Sequence, residues 1–194
     1  LRDRFLKLIK RETKNAKNGE DARIIAKMNS LCDPGIIAAL YEASANGVKI
    51  DLIIRGICCL KTGIPGVSEN ISVRSIVGNF LEHSRIFYFE NNGNAEVYMG
   101  SADWMQRNLD KRVEIVFPLL DNSLKQKAIH ILEVELEDNV KARVMGDDGI
   151  YYRIDKRGKT LVNSQKVFVK EAEEDVPKII DDSKGRIFVP AEPV

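Results

Sequence analysis

The stretch "ARIIAKMNSLCDPGIIAALYEASANGVKIDLIIRG", Ala22 to Gly56, decides the fold. Its opening "ARIIAKM" (22–28) is a short apolar run suited to a buried strand, and "VKIDLIIRG" (48–56) is a second. Between them "DPGIIAALYEASANG" is a well-punctuated helix. Asp33 is placed to cap it, Pro34 falls at the first helical position, and Gly47 ends it. Strand, helix and strand within about 35 residues make a βαβ unit, so the two strands are expected to be parallel.

Upstream, Leu1, Phe5, Leu8 and Ile9 recur at helical spacing among charges, which predicts an amphipathic helix to about Asn18. Downstream, "LKTGIPGVSEN" (60–70) is a loop and "ISVRSIV" (71–77) alternates as a strand. "SRIFYFE" (84–90) and "AEVYMGS" (95–101) flank "NNGN", a hairpin turn, and "KRVEIVFPL" (111–119) is a further strand. "NSLKQKAIHILEVELED" (122–138) predicts a helix capped by Asp121 or Asn122. "VKARVMG", "GIYYRID" and "QKVFVKEA" read as strands or extended segments. The tail, 171–194, is acidic and then proline-bearing, and is expected to be partly disordered. The class is α/β, a mixed β-sheet flanked by helices.

The 194 residues, 44% hydrophobic and 30% charged, are enough for one globular core. A net charge of +1 argues against a general nucleic-acid or membrane-surface protein, while leaving room for a local basic patch. No apolar run approaches the roughly 20 residues that span a bilayer, and no signal peptide is expected at the charged start. Cys32, Cys58 and Cys59 are too few for a disulfide framework, and with two histidines they match no zinc site. Free thiols in a reduced, cytoplasmic setting follow. The opening "LRDRFLKLIKRE" reads as the middle of something longer, so the chain is expected to be a fragment of a larger protein.

Three segments carry candidate chemistry. In "LEHSRIFYFENN" (81–92), strand alternation would put His83, Arg85, Phe87 and Phe89 on one face. A guanidinium holds two phosphate oxygens in a fork, and an imidazole exchanges a proton near neutral pH. Glu90 would face away from His83. The bland alternative is a strand histidine that is merely hydrogen-bonded; His130, on the 122–138 helix, is read as a solvated helix position. In "RGICCL", Arg55 lies just past the carboxyl end of a parallel strand, where α/β proteins place ligand sites; its bland alternative is an ion pair with an acid such as Glu69. Ser68, Asn70 and Arg74 follow as phosphate-reach candidates. "GSADWMQRNLDKRVEI" sets Ser101, Asp103, Arg107, Asn108 and Arg112 around Trp104, alternatively a salt-bridged turn.

His83, Arg85, Glu90 and then Gly100-Ser101 resemble the HxKxxxxD…GS pattern of the phospholipase D superfamily, with arginine for lysine and glutamate for aspartate. A longer resemblance runs over most of the chain. Lys27 to Leu60, "IPGVSENISVRSIVGNFLEHSRIFYF" (64–89), "SADWMQRNLDKRVEIVFP" (101–118), "YYR" (151–153) and "VNSQ" (162–165) are similar to polyphosphate kinases of the large bacterial type.

That resemblance implies a phospholipase D-like fold, with residues 1–170 as the family's C-terminal catalytic domain. It implies reversible transfer of the terminal phosphate of ATP to inorganic polyphosphate, through a phosphohistidine in a preceding domain that faces this one across a shared tunnel. The family's second histidine matches His83 and its ATP-contacting arginine matches Arg55. Arg85 would brace the site, with Arg74, Ser101, Arg107 and Asn108 as further phosphate contacts. Mg²⁺ is expected for the full enzyme, but its arginine-lined site lies in the preceding domain and no ligand is assigned here. The implied partners are ATP, ADP, polyphosphate, the preceding domains and a homo-oligomer, with no nucleic acid. The fragment alone is expected to be inactive. Two rival readings stand: a phospholipase D-like phosphodiesterase or nuclease half-site, and a non-catalytic polyanion-binding module.

Overall fold

The computed structural model describes residues 1–175, and 176–194, most of the tail expected over 171–194, lie outside the described residues. The elements follow in the order α1 (Arg2–Lys17), β1 (Arg23–Met28), α2 (Pro34–Ala45), β2 (Lys49–Ile54), β3 (Ile71–Ile76), β4 (Ile86–Phe89), β5 (Glu96–Gly100), β6 (Val116–Pro118), α3 (Asn122–Glu137), β7 (Ala142–Met145), β8 (Tyr151–Arg153) and α4 (Ser164–Asp175). The strands form one mixed sheet in the order β6-β5-β4-β1-β2-β3-β7-β8. β1, β2 and β3 run parallel, and the remaining neighbours pair antiparallel.

The βαβ unit forms as its punctuation predicts. Asp33 accepts from the Ile36 amide at 3.0 Å, satisfying one of the donors that a helix start leaves unpaired. Asn91 and Asn92 both take φ 51°, the left-handed conformation that a tight hairpin needs and asparagine tolerates. Alternation then sorts side chains to two faces. Ile24, Ala26, Met28, Ile50, Leu52 and Val73 pack with Phe5, Leu8 and Ile9 of α1 and with Ile36 and Leu40 of α2. Ile25, Ile53, Ile76, Ile86 and Val97 pack with Ala128 and Leu132 of α3 on the other face. Each fully buried aliphatic side chain contributes about 1.5–3 kcal/mol.

Three expectations need correction. "QKVFVKEA" lies in helix α4, not in a strand: α4 packs on α3, and an i,i+4 pair, Lys170 with Glu174, supports it. The helix therefore runs on past position 170, where the tail is expected to begin. The strand expected over 111–119 is only β6, because residues 107–111 wind into a π-helical turn. The strand expected from Ser84 starts at Ile86, which leaves His83 on the coil that leads into β4 and not on its face.

Candidate functional site

β1, β2 and β5 point their carboxyl ends the same way, and antiparallel β4 brings its amino end there. Four chain segments thus converge: Asn29 after β1, Arg55 after β2, Asp103 after β5, and His83 with Arg85 before β4. The 101–105 segment is pinned by Trp104. Its ring is fully buried between Phe5 and Phe87, with centroids 5.4 and 5.3 Å away. Its carbonyl accepts from the Cys32 and Asp33 amides, both at 2.9 Å. Asp103 is carried inward as a result.

There the carboxylate of Asp103 accepts from the Asn29 backbone at 2.8 Å, from Asn29 Nδ2 at 3.2 Å and from Arg85 Nε at 3.1 Å. Asn29 Oδ1 in turn accepts from Arg55 Nε at 2.5 Å. On the other side, Arg85 Nη1 donates to the His83 carbonyl at 2.7 Å and lies 3.2 Å from the imidazole nitrogens. A continuous line of contacts therefore joins His83, Arg85, Asp103, Asn29 and Arg55. Arg55 engages Asn29 through Nε, and neither of its terminal nitrogens has a hydrogen-bond partner among the described residues. Gly56 permits this geometry: its amide donates to the Asn29 carbonyl at 2.8 Å, and a Cβ there would stand 2.8 Å from the same oxygen.

The loop before His83 lacks regular structure and is held by side chains. Gln165 of α4 accepts from the Phe80 amide at 3.1 Å, donates to the Phe80 carbonyl at 2.8 Å and donates to Glu82 at 2.6 Å. Gly78 runs so close to this amide that a Cβ would stand 2.2 Å from Gln165 Oε1. Glu82 also pairs with Lys27, a β1 lysine only 2% exposed, which pairs with Glu135 of α3 as well. One ammonium serves two carboxyl groups. Burial opposes the charge on Glu82, but the bonds from Gln165 and Lys27 outweigh it and hold its carboxyl below the usual range. Burial dominates at Glu135 and pushes its carboxyl up to about 8, against the pull of Lys27.

The other candidates make their contacts outside that line. Arg74 turns to the C-terminal end of α3, where it donates to the Glu135 carbonyl at 3.3 Å and to that of Leu136; burial lowers its pKa. Ser68 and Asn70 are tied to Ile64 and Ser44 in the 64–70 loop. Ser101 and Asn108 are joined to each other through Glu114, and Arg107 is exposed with no side-chain partner among the described residues. Arg55 pairs with Asn29, not Glu69. Glu90 sits at the far end of β4, accepting from Tyr88 beside the start of β1, so the acid next to Arg85 is Asp103. His130 is half exposed, as expected, but meets Glu171 of α4 at 2.8 Å. Asn29 was missed as a site residue; its signal is the one that marks Arg55, a polar side chain one step past a parallel strand.

Fold and site together define a mixed-sheet α/β domain that gathers one histidine and two arginines at its strand ends. Residues 1–165 match the family model described as "Polyphosphate kinase C-terminal domain 2". A polyphosphate kinase from Burkholderia ambifaria is 55% identical over 166 residues, which is 85% of this chain and 24% of that protein. A crystal structure of polyphosphate kinase from Porphyromonas gingivalis superposes with TM-score 0.85 at 42% identity, over 90% of this chain and 27% of that one. NucT from Helicobacter pylori shares the fold alone, at TM-score 0.50 and 16% identity over 70% of this chain and 89% of its own. The chain belongs to the polyphosphate kinase family, and spans about a quarter of the length of the curated relatives it matches.

Proposed function

We propose that this chain is the C-terminal catalytic domain of a polyphosphate kinase, which moves the terminal phosphoryl group of ATP reversibly onto inorganic polyphosphate. The observation that carries the reading is the line of contacts from His83 to Arg55. It sets one imidazole and one open guanidinium fork on a common rigid frame, at the strand ends where α/β sheets bind ligands. Phosphoryl transfer asks mainly for positioning and charge stabilisation, and the residues divide that work. The two free nitrogens of Arg55 grip nucleotide phosphate oxygens. His83 donates a hydrogen bond to the moving phosphoryl group or exchanges a proton with it. Arg85, already committed to Asp103 and His83, holds the imidazole rather than the substrate. Asn29 and Asp103 position the two arginines.

On this proposal the phosphoryl group rests on a histidine of a preceding domain, with ADP as the leaving group, and the enzyme is cytoplasmic and oligomeric. Mg²⁺, expected of the full enzyme, does not fit the residues here. Asp103, the carboxylate within the line of contacts, is saturated by Asn29 and Arg85, and no group of three or more His, Cys, Asp or Glu among the described residues is arranged to hold a metal. No helix among them is long and apolar enough to cross a membrane.

The test is synthesis. The intact protein, given ATP labelled in its terminal phosphate, is expected to build a labelled polymer that an exopolyphosphatase digests. The 194-residue chain alone should build none and should carry no acid-labile phosphate. Absence of polymer from the intact protein, or stoichiometric labelling of His83 in the isolated chain, would overturn the reading.

A further inference from the structure

A cavity of about 620 Å³ opens beside Arg55 and runs away from His83 across β3, β7 and β8. Its walls carry Arg55, Lys141, Arg143, Arg153 and Lys156, and no carboxylate. The chain as a whole has 30 basic and 29 acidic residues, so this concentration of one sign is local. It is also unneutralised. Arg2, Arg11, Arg23, Arg85 and Arg157 each meet a carboxylate within the ion-pair distance, whereas none of the five cavity cations does among the described residues.

The strand register sharpens the point. Ser75 of β3 lies directly opposite Arg143 of β7, and Arg143 directly opposite Arg153 of β8. Directly opposed side chains share a face, so two guanidiniums sit side by side with a hydroxyl next in the row. Like charges in that relation destabilise a sheet. An anion lying across the row would relieve that repulsion. The anion must be long, because the cations extend from Arg55 to the outermost strand. It need not carry bases: the only aromatic in the wall, Tyr151, is half-buried against the core, and grooves for single-stranded nucleic acid add exposed rings on which bases stack.

We propose that this groove holds the interior of the inorganic polyphosphate chain, a run of consecutive phosphates leading away from the Arg55 end of the site. This rests on the polyphosphate kinase reading above and adds the path that the polymer takes on this domain. Consecutive phosphates match a row of forks, and each additional guanidinium contact makes binding tighter and more sensitive to salt.

The test uses the intact enzyme and the double substitution Arg143→Gln with Arg153→Gln. Binding of tripolyphosphate and of long-chain polyphosphate is measured at several salt concentrations, with single-stranded DNA as competitor. Wild type should bind the long chain more tightly than tripolyphosphate. The double variant should lose tenfold or more for the long chain, on the scale of lost charge-assisted bonds. It should lose little for tripolyphosphate and show a shallower salt dependence. Its melting temperature should stay level or rise, since a repulsive pair has been relieved; Lys141→Gln with Lys156→Gln, changed at exposed positions, is the second pair to be read the same way. Unchanged long-chain affinity in both variants, or DNA that competes as well as polyphosphate, would overturn the groove assignment. A wild-type enzyme that makes polymer while both variants bind it normally would sink the groove alone. A wild type that makes no polymer would sink the reading beneath it.

Discussion

Replacing Asp103 by asparagine removes the negative charge at the centre of the line of contacts while nearly preserving its shape. The carboxylate takes three donors from Asn29 and Arg85 at 2.8–3.2 Å, and its side chain is 9% exposed against 12% for Arg85. Asparagine keeps one acceptor oxygen and turns an NH₂ group toward donors. Breaking a buried pair by removing one partner costs about 3–5 kcal/mol. Arg85 is not wholly enclosed and one acceptor survives, so a loss of about 2–3 kcal/mol is expected. For a domain of this size each kcal/mol shifts Tm by about 2–4 °C, giving a fall of about 4–12 °C. The consequence for turnover is larger than the loss of stability suggests. Arg85 loses its anchor, and with it the hold on the His83 carbonyl and ring. In the intact enzyme, well below the lowered Tm, Asp103→Asn should reduce ATP-to-polyphosphate turnover by at least about tenfold, since small misplacements of a catalytic group are expensive. A thermal melt and a turnover assay on one purified variant decide it. A Tm within about 1 °C of wild type, with normal turnover, would refute the central role given to Asp103.

Glu135 sets a pH dependence of stability. Its folded pKa of about 8 lies above the ordinary 4.5, so between those values the folded chain keeps a proton that the unfolded chain has released. Stability on this account falls as pH rises through that window, by at most about 1.4 kcal/mol per unit, and Glu135→Gln should flatten the slope; parallel Tm–pH curves for the two proteins would be the contrary result. Gln165→Ala should cost about 1–3 kcal/mol and speed hydrogen exchange of the Phe80 amide, with a several-fold loss of turnover as the His83 loop loosens; unaltered exchange at Phe80 would show that the loop holds itself. Arg55→Lys keeps the charge but not the fork or the bond to Asn29, so the KM for ATP should rise by about tenfold in an enzyme that melts normally; wild-type kinetics would make Arg55 structural.

The parts of the fold set by near neighbours were legible. Asp33, Pro34 and Gly47 punctuate α2 by local chemistry, and the apolar runs on either side could only be buried strands. Arg55 was legible for the same reason, since a strand end is a place in the sequence as well as in space. Readings failed where distant chain decides. "VFV" in 167–169 favours a strand by composition, yet docking on α3 makes it helix. His83 fits an alternating pattern, but the segment before β4 finds its hydrogen bonds in Gln165 of α4 instead of in a neighbouring strand. Motif spacing pointed to Glu90, which β4 carries to the opposite end of the sheet. Asp103 reaches Asn29 across 74 residues of sequence, a pairing that no local pattern encodes.

The most direct measurement is the turnover of His83→Gln in the intact enzyme, read beside its thermal melt. Glutamine approximates the size of the imidazole and keeps one donor, but carries no proton between pH 5 and 8. His83 is exposed and its ring nitrogens meet only Arg85 among the described residues, so folding should be indifferent to the change. The account predicts a loss of about 10²- to 10⁴-fold in ATP-to-polyphosphate turnover with Tm near wild type. Near-normal turnover, with or without a loss of stability, would contradict it and remove His83 from the reaction.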